Sequence, residues 1–481
     1  MTLVSFQHLL ARPGASRWRR VFTRAILTTT IAGATLAALH WARLVERPIG
    51  VVIITLDTTR ADRLSIYGLM DASMPALERA AREGVVFDQA TTVAPLTLPA
   101  HTSLFTGLLP PRHGVRDNAS EPLAGTETTL AEILQARGFR TAAFVSSVVL
   151  GPERGLAQGF DEYAGASTQT GAPPADEPLD HLDSRQRRAD AVIDDAVRWL
   201  AGVGESPFFL WAHLYDPHRP YDPPEPYRSA YADPYVGEIA FADAQIGRLI
   251  AALEARRLLD RTIIVVAGDH GESLGEHGED DHGIFVYDST VRVPLVIRAP
   301  RTPARRAGGI VRLTDVMPTV LDLLQVPAPP ADGTSLAALI RGPATDLDLE
   351  AYAESRYPER LGWSPLRSLR TGRFKLIEAP RPELYDLERD PFEEHNIYTD
   401  RPSVGLAMER RLRLIGRERD LASAPALASV PAGLRERLAA LGYVASGQPS
   451  ATGSRASAPD PKDMMAERAR QKAKLGSQNR P

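Results

Sequence analysis

Two short segments of this 481-residue sequence carry side chains that could together bind a divalent metal ion. Asp57 directly follows one apolar run, and the pair Asp269 and His270 directly follows another. A carboxylate facing an Asp-His pair supplies the oxygen and imidazole ligands that Zn²⁺, Mn²⁺ or Fe accept, whereas Ca²⁺ prefers oxygen alone. Taken singly, Asp57 could instead cap a helix and His270 could be an ordinary polar residue. The combination indicates a metal site.

A third segment, residues 94–118, contains a threonine placed like an anion-binding residue or a nucleophile. Thr97 precedes the stretch HTSLFTG, which is typical of the start of a short helix. The free N–H groups and positive dipole end of such a helix favour an anion. A threonine hydroxyl is a poor nucleophile unless a metal or a base deprotonates it. Thr97 therefore has a chemical role if a cation lies beside it, and is otherwise a helix cap.

Four apolar, β-branched runs must position these side chains, and each is typical of a strand buried on both faces. They are residues 51–56, 141–147, 208–214 and 262–268. Helical patterns alternate with them, which predicts an α/β fold with a mostly parallel sheet flanked by helices. Functional groups collect just past the carboxyl ends of such strands, where Asp57, Asp269 and His270 stand.

The charge balance and composition exclude several classes of protein. There are 56 Lys and Arg against 60 Asp and Glu, a net charge of -4 that does not favour nucleic acid as a partner. The absence of cysteine excludes disulfides, thiolate metal sites and a cysteine nucleophile. With 43% hydrophobic and 24% charged residues, the chain has the composition of a folded globular protein.

Changes in composition along the chain predict four parts. Residues 1–48 form an N-terminal signal anchor or export signal, and residues 49–345 form the catalytic domain. Residues 346–446 form a small C-terminal antiparallel subdomain, and residues 447–481 form a disordered polar tail. Residues 165–184, rich in Pro, Gly, Thr and Asp, are expected to be a surface loop.

The predicted anchor is an uncharged run at residues 25–42 that follows five arginines, with no acidic residue before Glu46. A basic flank before an apolar run is typical of a signal anchor or export signal, and WRRVFTR loosely resembles a twin-arginine signal. The positive-inside rule then places the catalytic domain outside the cytoplasm, on the periplasmic side. A buried helix is the alternative, which the all-round apolar pattern does not favour.

Six ordered blocks of the sequence resemble the sulfatase family within the alkaline phosphatase superfamily. They are TLDTTRADRLSIYG, TLPAHTSLFTGLLPPRHGV, HLYDPHRPYDPP, GDHGESLGEHG with DHGIFVYDSTVRVPLVIRAP, LTDVMPTVLDLL and RTGRFKLIEAPRPELYDLERDP, within residues 51–396. The resemblance implies an alkaline phosphatase-like fold and a phosphate or sulfate ester substrate. It also implies one or two divalent metal ions, of which zinc or manganese is favoured and calcium is possible.

By this resemblance Asp57, Asp269 and His270 are metal ligands, and Thr97 is the nucleophile that touches the same ion. True sulfatases instead place Cys or Ser at the position of Thr97 and convert it to formylglycine, which the β-methyl group of threonine prevents. Thr58 replaces the second aspartate of the usual pair. At Thr97 the sequence is similar to nucleotide pyrophosphatase/phosphodiesterases and phosphoethanolamine transferases, which use threonine and zinc-like metals on phosphorus substrates.

The same resemblance assigns roles to three further residues. His218 and His282 match positions directed at the substrate anion or at a second metal, so both are predicted as catalytic residues and as ligands. Asp216 completes the predicted second metal site with them. The alternative for all three residues is that they contact the substrate or support the ligands of the first metal site. Asn118 is a further possible contact for the substrate anion.

These features predict a metal-dependent hydrolase that uses Thr97 on phosphate monoesters or diesters. Hydrolysis of sulfuric esters is the runner-up, favoured by the six blocks together. A transferase that moves a phospho-headgroup to an acceptor at the membrane is a third reading, which the anchor would allow. A binding protein without catalysis is the fourth, disfavoured because Asp57, Thr97, Asp269 and His270 are all present.

Overall fold

The computed structural model describes residues 48–165, 186–342, 346–416 and 458–478. The predicted membrane segment at residues 25–42 and nearly all of the predicted loop at 165–184 lie outside these ranges. Within them, no helix combines the length and the apolar character that crossing a membrane requires.

The larger sheet of the described residues has eight strands in the order β4–β3–β5–β1–β6–β7–β2–β8. The strands are β1 (Gly50–Leu56), β2 (Val85–Thr91), β3 (Arg140–Val145), β4 (Glu162–Ala164), β5 (Phe208–Leu214), β6 (Thr262–Gly268), β7 (Leu295–Arg298) and β8 (Arg305–Arg312). Strand β7 is antiparallel to both of its neighbours, and the other pairs are parallel. The four strands predicted from apolar runs are β1, β3, β5 and β6, which are adjacent at the centre and one side of the sheet.

Helices cover both faces of this sheet. They are α1 (Pro75–Glu83), α2 (Thr97–Thr106), α3 (Pro110–His113), α4 (Leu130–Gln135), α5 (Ala189–Ala201), α6 (Tyr227–Ala230), α7 (Pro234–Ala255), α8 (Asp288–Val291), α9 (Val316–Leu323) and α10 (Ala337–Arg341). Side chains alternate between the faces of a strand, so Ile53 packs in the core beneath α2 and Ile54 packs in the core beneath α5 and α7. Burial on both faces explains why the central strands are continuously apolar.

A second sheet of four antiparallel strands follows in the chain. It consists of β9 (Ala351–Ser355), β10 (Leu366–Arg370), β11 (Phe374–Glu378) and β12 (Glu383–Asp386), with α11 (Tyr357–Arg360) between β9 and β10. Helix α12 (Pro402–Gly416) packs on this sheet through Met408 and Leu412. The predicted fold class is therefore confirmed: a mostly parallel sheet flanked by helices, with a small C-terminal antiparallel sheet.

The structure differs from the predicted disordered tail in one stretch, because helix α13 occupies Pro461–Gln478. The chain just before it is tied to the small sheet region: the Asp460 carboxylate accepts the Arg381 backbone N–H at 3.0 Å, and Ser364 N–H donates to the Pro459 carbonyl at 2.9 Å. Met464 and Met465 pack against the core of that region. A polar composition predicted disorder, but these specific contacts order the segment.

Candidate active site

The centre of the large sheet brings the predicted metal ligands to one edge. Strand β1 lies between β5 and β6 in parallel register, with Leu56 opposite both Leu214 and Gly268. The residues that follow the strands, Asp57 and Asp269, therefore emerge side by side. The Asp57 Oδ1 atom lies 3.4 Å from His270 Nε2, which in turn lies 3.7 Å from Asp269 Oδ2.

These three side chains offer donor atoms to a common point. Their ligand atoms all lie within 4.8 Å of one another, and all three residues are buried. Neither carboxylate oxygen of Asp57, nor Oδ2 of Asp269, has a hydrogen-bond partner within the described ranges. Buried carboxylate oxygens are costly without a compensating partner, so the donor set fits a divalent cation. Mixed oxygen and imidazole donors suit zinc or manganese better than calcium.

Backbone groups fix the orientation of Asp269 within this set. Its Oδ1 atom accepts the backbone N–H of His270 at 2.7 Å and that of Thr58 at 3.2 Å. Thr58, which stands where the second aspartate of the resembled pattern would be, donates its hydroxyl to the Pro217 carbonyl. Oδ1 thus accepts two backbone hydrogen bonds, and Oδ2 faces His270 Nε2 at 3.7 Å.

The pKa values in the donor set follow from burial and from mutual charge. Burial and the neighbouring Asp57 carboxylate raise the pKa of Asp269 well above its usual range. Burial opposes ionisation of Asp57 too, but three imidazoles, with His213 foremost, lower its pKa below the usual range. Burial and the charge of His282 lower the pKa of His270 to about 3. A neutral His270 retains the lone pair that a metal ligand needs.

The predicted nucleophile lies at the edge of the same donor set. Thr97 is the first residue of α2, a fully buried helix, and its Oγ1 atom lies 3.2 Å from His270 Nε2. The Asn118 Oδ1 atom accepts the Leu98 N–H at 2.9 Å and so anchors this first turn. The Asn118 Nδ2 atom is buried and has no hydrogen-bond partner among the described residues, which suits the anion contact considered from sequence.

His282 lies beside this set, and His218 lies beside His282. The ring of His282 lies 4.5 Å from that of His270 and 5.2 Å from that of His218, measured between centroids. His282 Nδ1 contacts Asp281 Oδ1 at 2.8 Å and Glu272 Oε1 at 3.1 Å. Burial works against the charged form of His282, but these two carboxylates raise its pKa well above the usual value.

The predicted ligand Asp216 is not part of this group, which corrects the second metal site inferred from sequence. Its Oδ2 atom accepts the Ala189 N–H at 2.8 Å at the start of α5, and Oδ1 lies 3.4 Å from the Arg188 guanidinium. Burial raises its pKa. The Asp216 carboxylate therefore accepts a hydrogen bond from the N-terminal turn of α5. The carboxylates that contact His282 belong to other residues.

Glu272 and Asp281 are the residues that sequence reasoning missed here. Together with His282 they bring three potential ligand atoms within 4.8 Å of one another. Both lie in the stretch DHGESLGEHGEDDHG, whose many acidic side chains gave no sign of which ones contact His282. Tyr221 donates its hydroxyl to Glu272 Oε2 at 2.9 Å, so this carboxylate is already held on its other side.

Comparisons with known proteins agree with this geometry. Residues 50–326 match the Sulfatase family, and residues 275–418 match the family described as N-sulphoglucosamine sulphohydrolase, C-terminal. An N-acetylglucosamine-6-O-sulfatase of Bacteroides thetaiotaomicron is 26% identical, over 73% of this chain and 83% of the relative.

Two solved structures share the fold. The phosphonate monoester hydrolase of Agrobacterium radiobacter superposes with a TM-score of 0.65 at 24% identity, covering 77% of this chain and 95% of that chain. A protein crystallised with its substrate D-glucosamine-2-N,6-O-disulfate also gives a TM-score of 0.65, at 23% identity over 78% of this chain and 99% of that chain.

Proposed function

This chain belongs to the sulfatase family, and we propose that it is a metal-dependent hydrolase of sulfate esters in which Thr97 is the nucleophile. The observation that carries the proposal is the position of Thr97 Oγ1, 3.2 Å from His270 Nε2. That position is at the rim of a buried donor set in which Asp57 Oδ1, Asp57 Oδ2 and Asp269 Oδ2 have no hydrogen-bond partner among the described residues. A hydroxyl in such a place can be activated by the same cation that the donor set binds.

Asp57, Asp269 and His270 would hold the ion, with Thr97 beside it. The chemistry such an ion supplies is that of a Lewis acid, which lowers the pKa of the Thr97 hydroxyl and withdraws charge from the ester oxygens. The residues of the chain supply the rest. The Asn118 amide and the first turn of α2 offer N–H groups where the negative oxygens of the ester would lie.

Reaction by this arrangement takes two displacements at sulfur. The Thr97 hydroxyl releases its proton to water as its oxygen forms a bond to sulfur, the bond from sulfur to the ester oxygen breaks, and a proton from His218 or His282 neutralises the leaving oxygen. A water molecule then attacks sulfur and gives a proton back to the same histidine, the bond to Thr97 breaks, Thr97 regains a proton from water, and sulfate leaves. His282 suits the role of proton donor because Asp281 and Glu272 favour its charged form.

Named relatives support sulfate esters better than the phosphate mono- or diesters expected from the threonine alone. One relative is by name an N-acetylglucosamine-6-O-sulfatase, and the matching C-terminal family is named for a sulphohydrolase. Phosphorus esters remain the second candidate, favoured by Thr97 itself, because its segment resembles those of nucleotide pyrophosphatase/phosphodiesterases and phosphoethanolamine transferases. A solved neighbour named as a phosphonate monoester hydrolase carries the same fold.

The test compares substrates that share one leaving group. Rates of the zinc- or manganese-loaded full chain are measured on 4-nitrophenyl sulfate, 4-nitrophenyl phosphate, bis(4-nitrophenyl) phosphate and 4-nitrophenyl phenylphosphonate, with Thr97→Ala as control. We expect kcat/KM for the sulfate to exceed that for each phosphorus ester by about tenfold or more, a difference of about 1.4 kcal/mol in transition-state stabilisation. A preference of that size for a phosphorus ester would replace the first candidate by the second.

A further inference from the structure

Two fully buried histidines lie behind the donor set, and the reaction described above does not use them. They are His101 on α2 and His213 on β5, both with no exposed surface. Their ring centroids are 4.9 Å apart, and the rings meet edge to face. Thr55, on the neighbouring strand β1 and opposite His213 in register, contacts both rings.

The hydrogen bonds around Thr55 form one continuous chain. His101 Nδ1 donates to the Thr97 carbonyl at 2.8 Å, and His101 Nε2 lies 2.9 Å from Thr55 Oγ1. The same hydroxyl accepts the Trp211 indole N–H at 3.0 Å and contacts His213 Nδ1 at 3.2 Å. Both rings are therefore fixed on one side by Thr55, which leaves little freedom to turn.

The other end of this chain reaches a metal-binding carboxylate. His213 Nε2 lies 3.4 Å from Asp57 Oδ2. The two atoms are within ion-pair distance of each other, and neither forms a hydrogen bond to any other described residue. The chain thus links the backbone of the nucleophile Thr97, through His101, Thr55 and His213, to the side chain of Asp57.

We propose that His213 is a positioning residue that orients the Asp57 carboxylate for the metal, and that Thr55 and His101 hold it in place. This inference rests on the metal site of the proposed function. Groups that bind a metal are generally oriented by polar partners behind them, and loss of such a partner typically weakens metal affinity by about 10- to 100-fold. The arrangement explains why two histidines and a threonine are buried together in an otherwise apolar core.

Two substitutions distinguish the contributions of the two ring nitrogens of His213. In His213→Asn the amide can reach the position of Nδ1 and keep the contact with Thr55, but nothing replaces Nε2. In His213→Gln the longer amide can reach the position of Nε2 and donate to Asp57. His113→Asn is the matched control, because His113 is also buried but contacts Ser103 and the Val115 N–H instead.

Zinc binding to the metal-free full chain is measured by isothermal titration calorimetry, with thermal unfolding of each metal-free variant as the check on folding. We expect His213→Asn to weaken zinc binding by about 10- to 100-fold. His213→Gln should stay within about threefold of the original chain, and so should His113→Asn. If His213→Asn does not fold, Thr55→Val, which removes the hydroxyl between the rings, should weaken zinc binding in the same direction.

Equal zinc affinity of His213→Asn and the original chain would overturn the inference and leave His213 as a packing residue. Equal losses in His213→Asn and His213→Gln would also overturn it, because a donor at the Nε2 position would then have no effect. If the original chain itself binds no zinc, the metal site of the proposed function is refuted. That result is distinct from loss of the His213 proposal alone, in which the original chain binds zinc and the variants show no difference.

Discussion

At the scale of single residues, the proposed chemistry rests on buried carboxylate oxygens of Asp57 and Asp269 that have no hydrogen-bond partner in the described parts of the chain. The juxtaposition of Asp57 and Asp269 could be predicted from sequence because each directly follows an apolar strand, and parallel strands end at one edge. Asp216 was predicted wrongly, since nothing in the sequence shows that its carboxylate serves the start of α5. Glu272 was missed because its neighbours in the chain are equally polar and only tertiary packing selects it.

Removal of the metal should destabilise the folded chain. A ligand that binds only the folded state adds about 2.7 kcal/mol of stability at a free concentration 100 times its Kd. We therefore expect a chelator to lower the melting temperature of the zinc-loaded chain by several degrees, measured by calorimetry. In Asp269→Asn, the difference in melting temperature between the zinc-treated and the chelator-treated chain should be much smaller. An unchanged melting temperature after complete, verified zinc removal would contradict the metal site.

At the scale of helices and strands, sequence patterns predicted the central strands to within one or two residues, whereas helix α2 begins at Thr97 and not at the predicted His101. Strands β5 and β6 begin and end where their apolar runs do, because burial on both faces leaves no polar positions inside them. The strand order could not be predicted, since β1 pairs with β5 and β6, which lie far along the chain. The antiparallel insertion of β7 between β6 and β2 likewise depends on long-range pairing.

The contact between α1 and α7 predicts a pH-dependent stability. Asp243 on α7 accepts the N–H groups of Ala76 and Leu77 at 3.0 and 2.7 Å, and burial raises its pKa to about 6. A carboxyl group whose pKa is raised by folding stabilises the fold below its unfolded pKa. That contribution is lost as the pH rises through about 6.

Asp243→Asn removes the titrating group, so the stability difference between the variant and the original chain should change with pH. We expect the variant to gain up to about 3 kcal/mol relative to the original chain between pH 4 and pH 8. Urea unfolding at each pH measures this difference. A difference independent of pH would show that Asp243 titrates normally in the fold.

At the scale of the whole molecule, a buried ion cluster joins the small sheet to the catalytic part. Lys375 on β11 is 1% exposed, and its Nζ atom lies 2.8 Å from both Asp288 Oδ1 and Glu393 Oε1. Arg370 contacts the second oxygen of Asp288 at 2.8 Å. The sequence predicted the small sheet but not this junction, because a lysine inside a strand is indistinguishable by pattern from a solvent-facing one.

Lys375→Met should be strongly destabilising, because it removes the cation that contacts both Asp288 and Glu393. Breaking a buried ion pair from one side typically costs about 3–5 kcal/mol, whereas an exposed pair contributes about 0–1 kcal/mol. Lys462→Met is the matched control, since Lys462 contacts Glu383 at 2.5 Å from a more exposed position. Urea unfolding should show the larger loss for Lys375→Met, and similar small losses for both would contradict a structural role for the cluster.

The central claim is that Thr97 is the nucleophile at a metal site, and its substitution tests that claim most directly. The measurement is kcat/KM of the zinc-loaded chain, Thr97→Ser and Thr97→Ala on the best 4-nitrophenyl ester, with bound zinc determined for each. We predict bound zinc in the original chain, measurable activity in Thr97→Ser, and a loss of about 10³-fold or more in a zinc-loaded Thr97→Ala. Full activity of zinc-loaded Thr97→Ala would contradict the account.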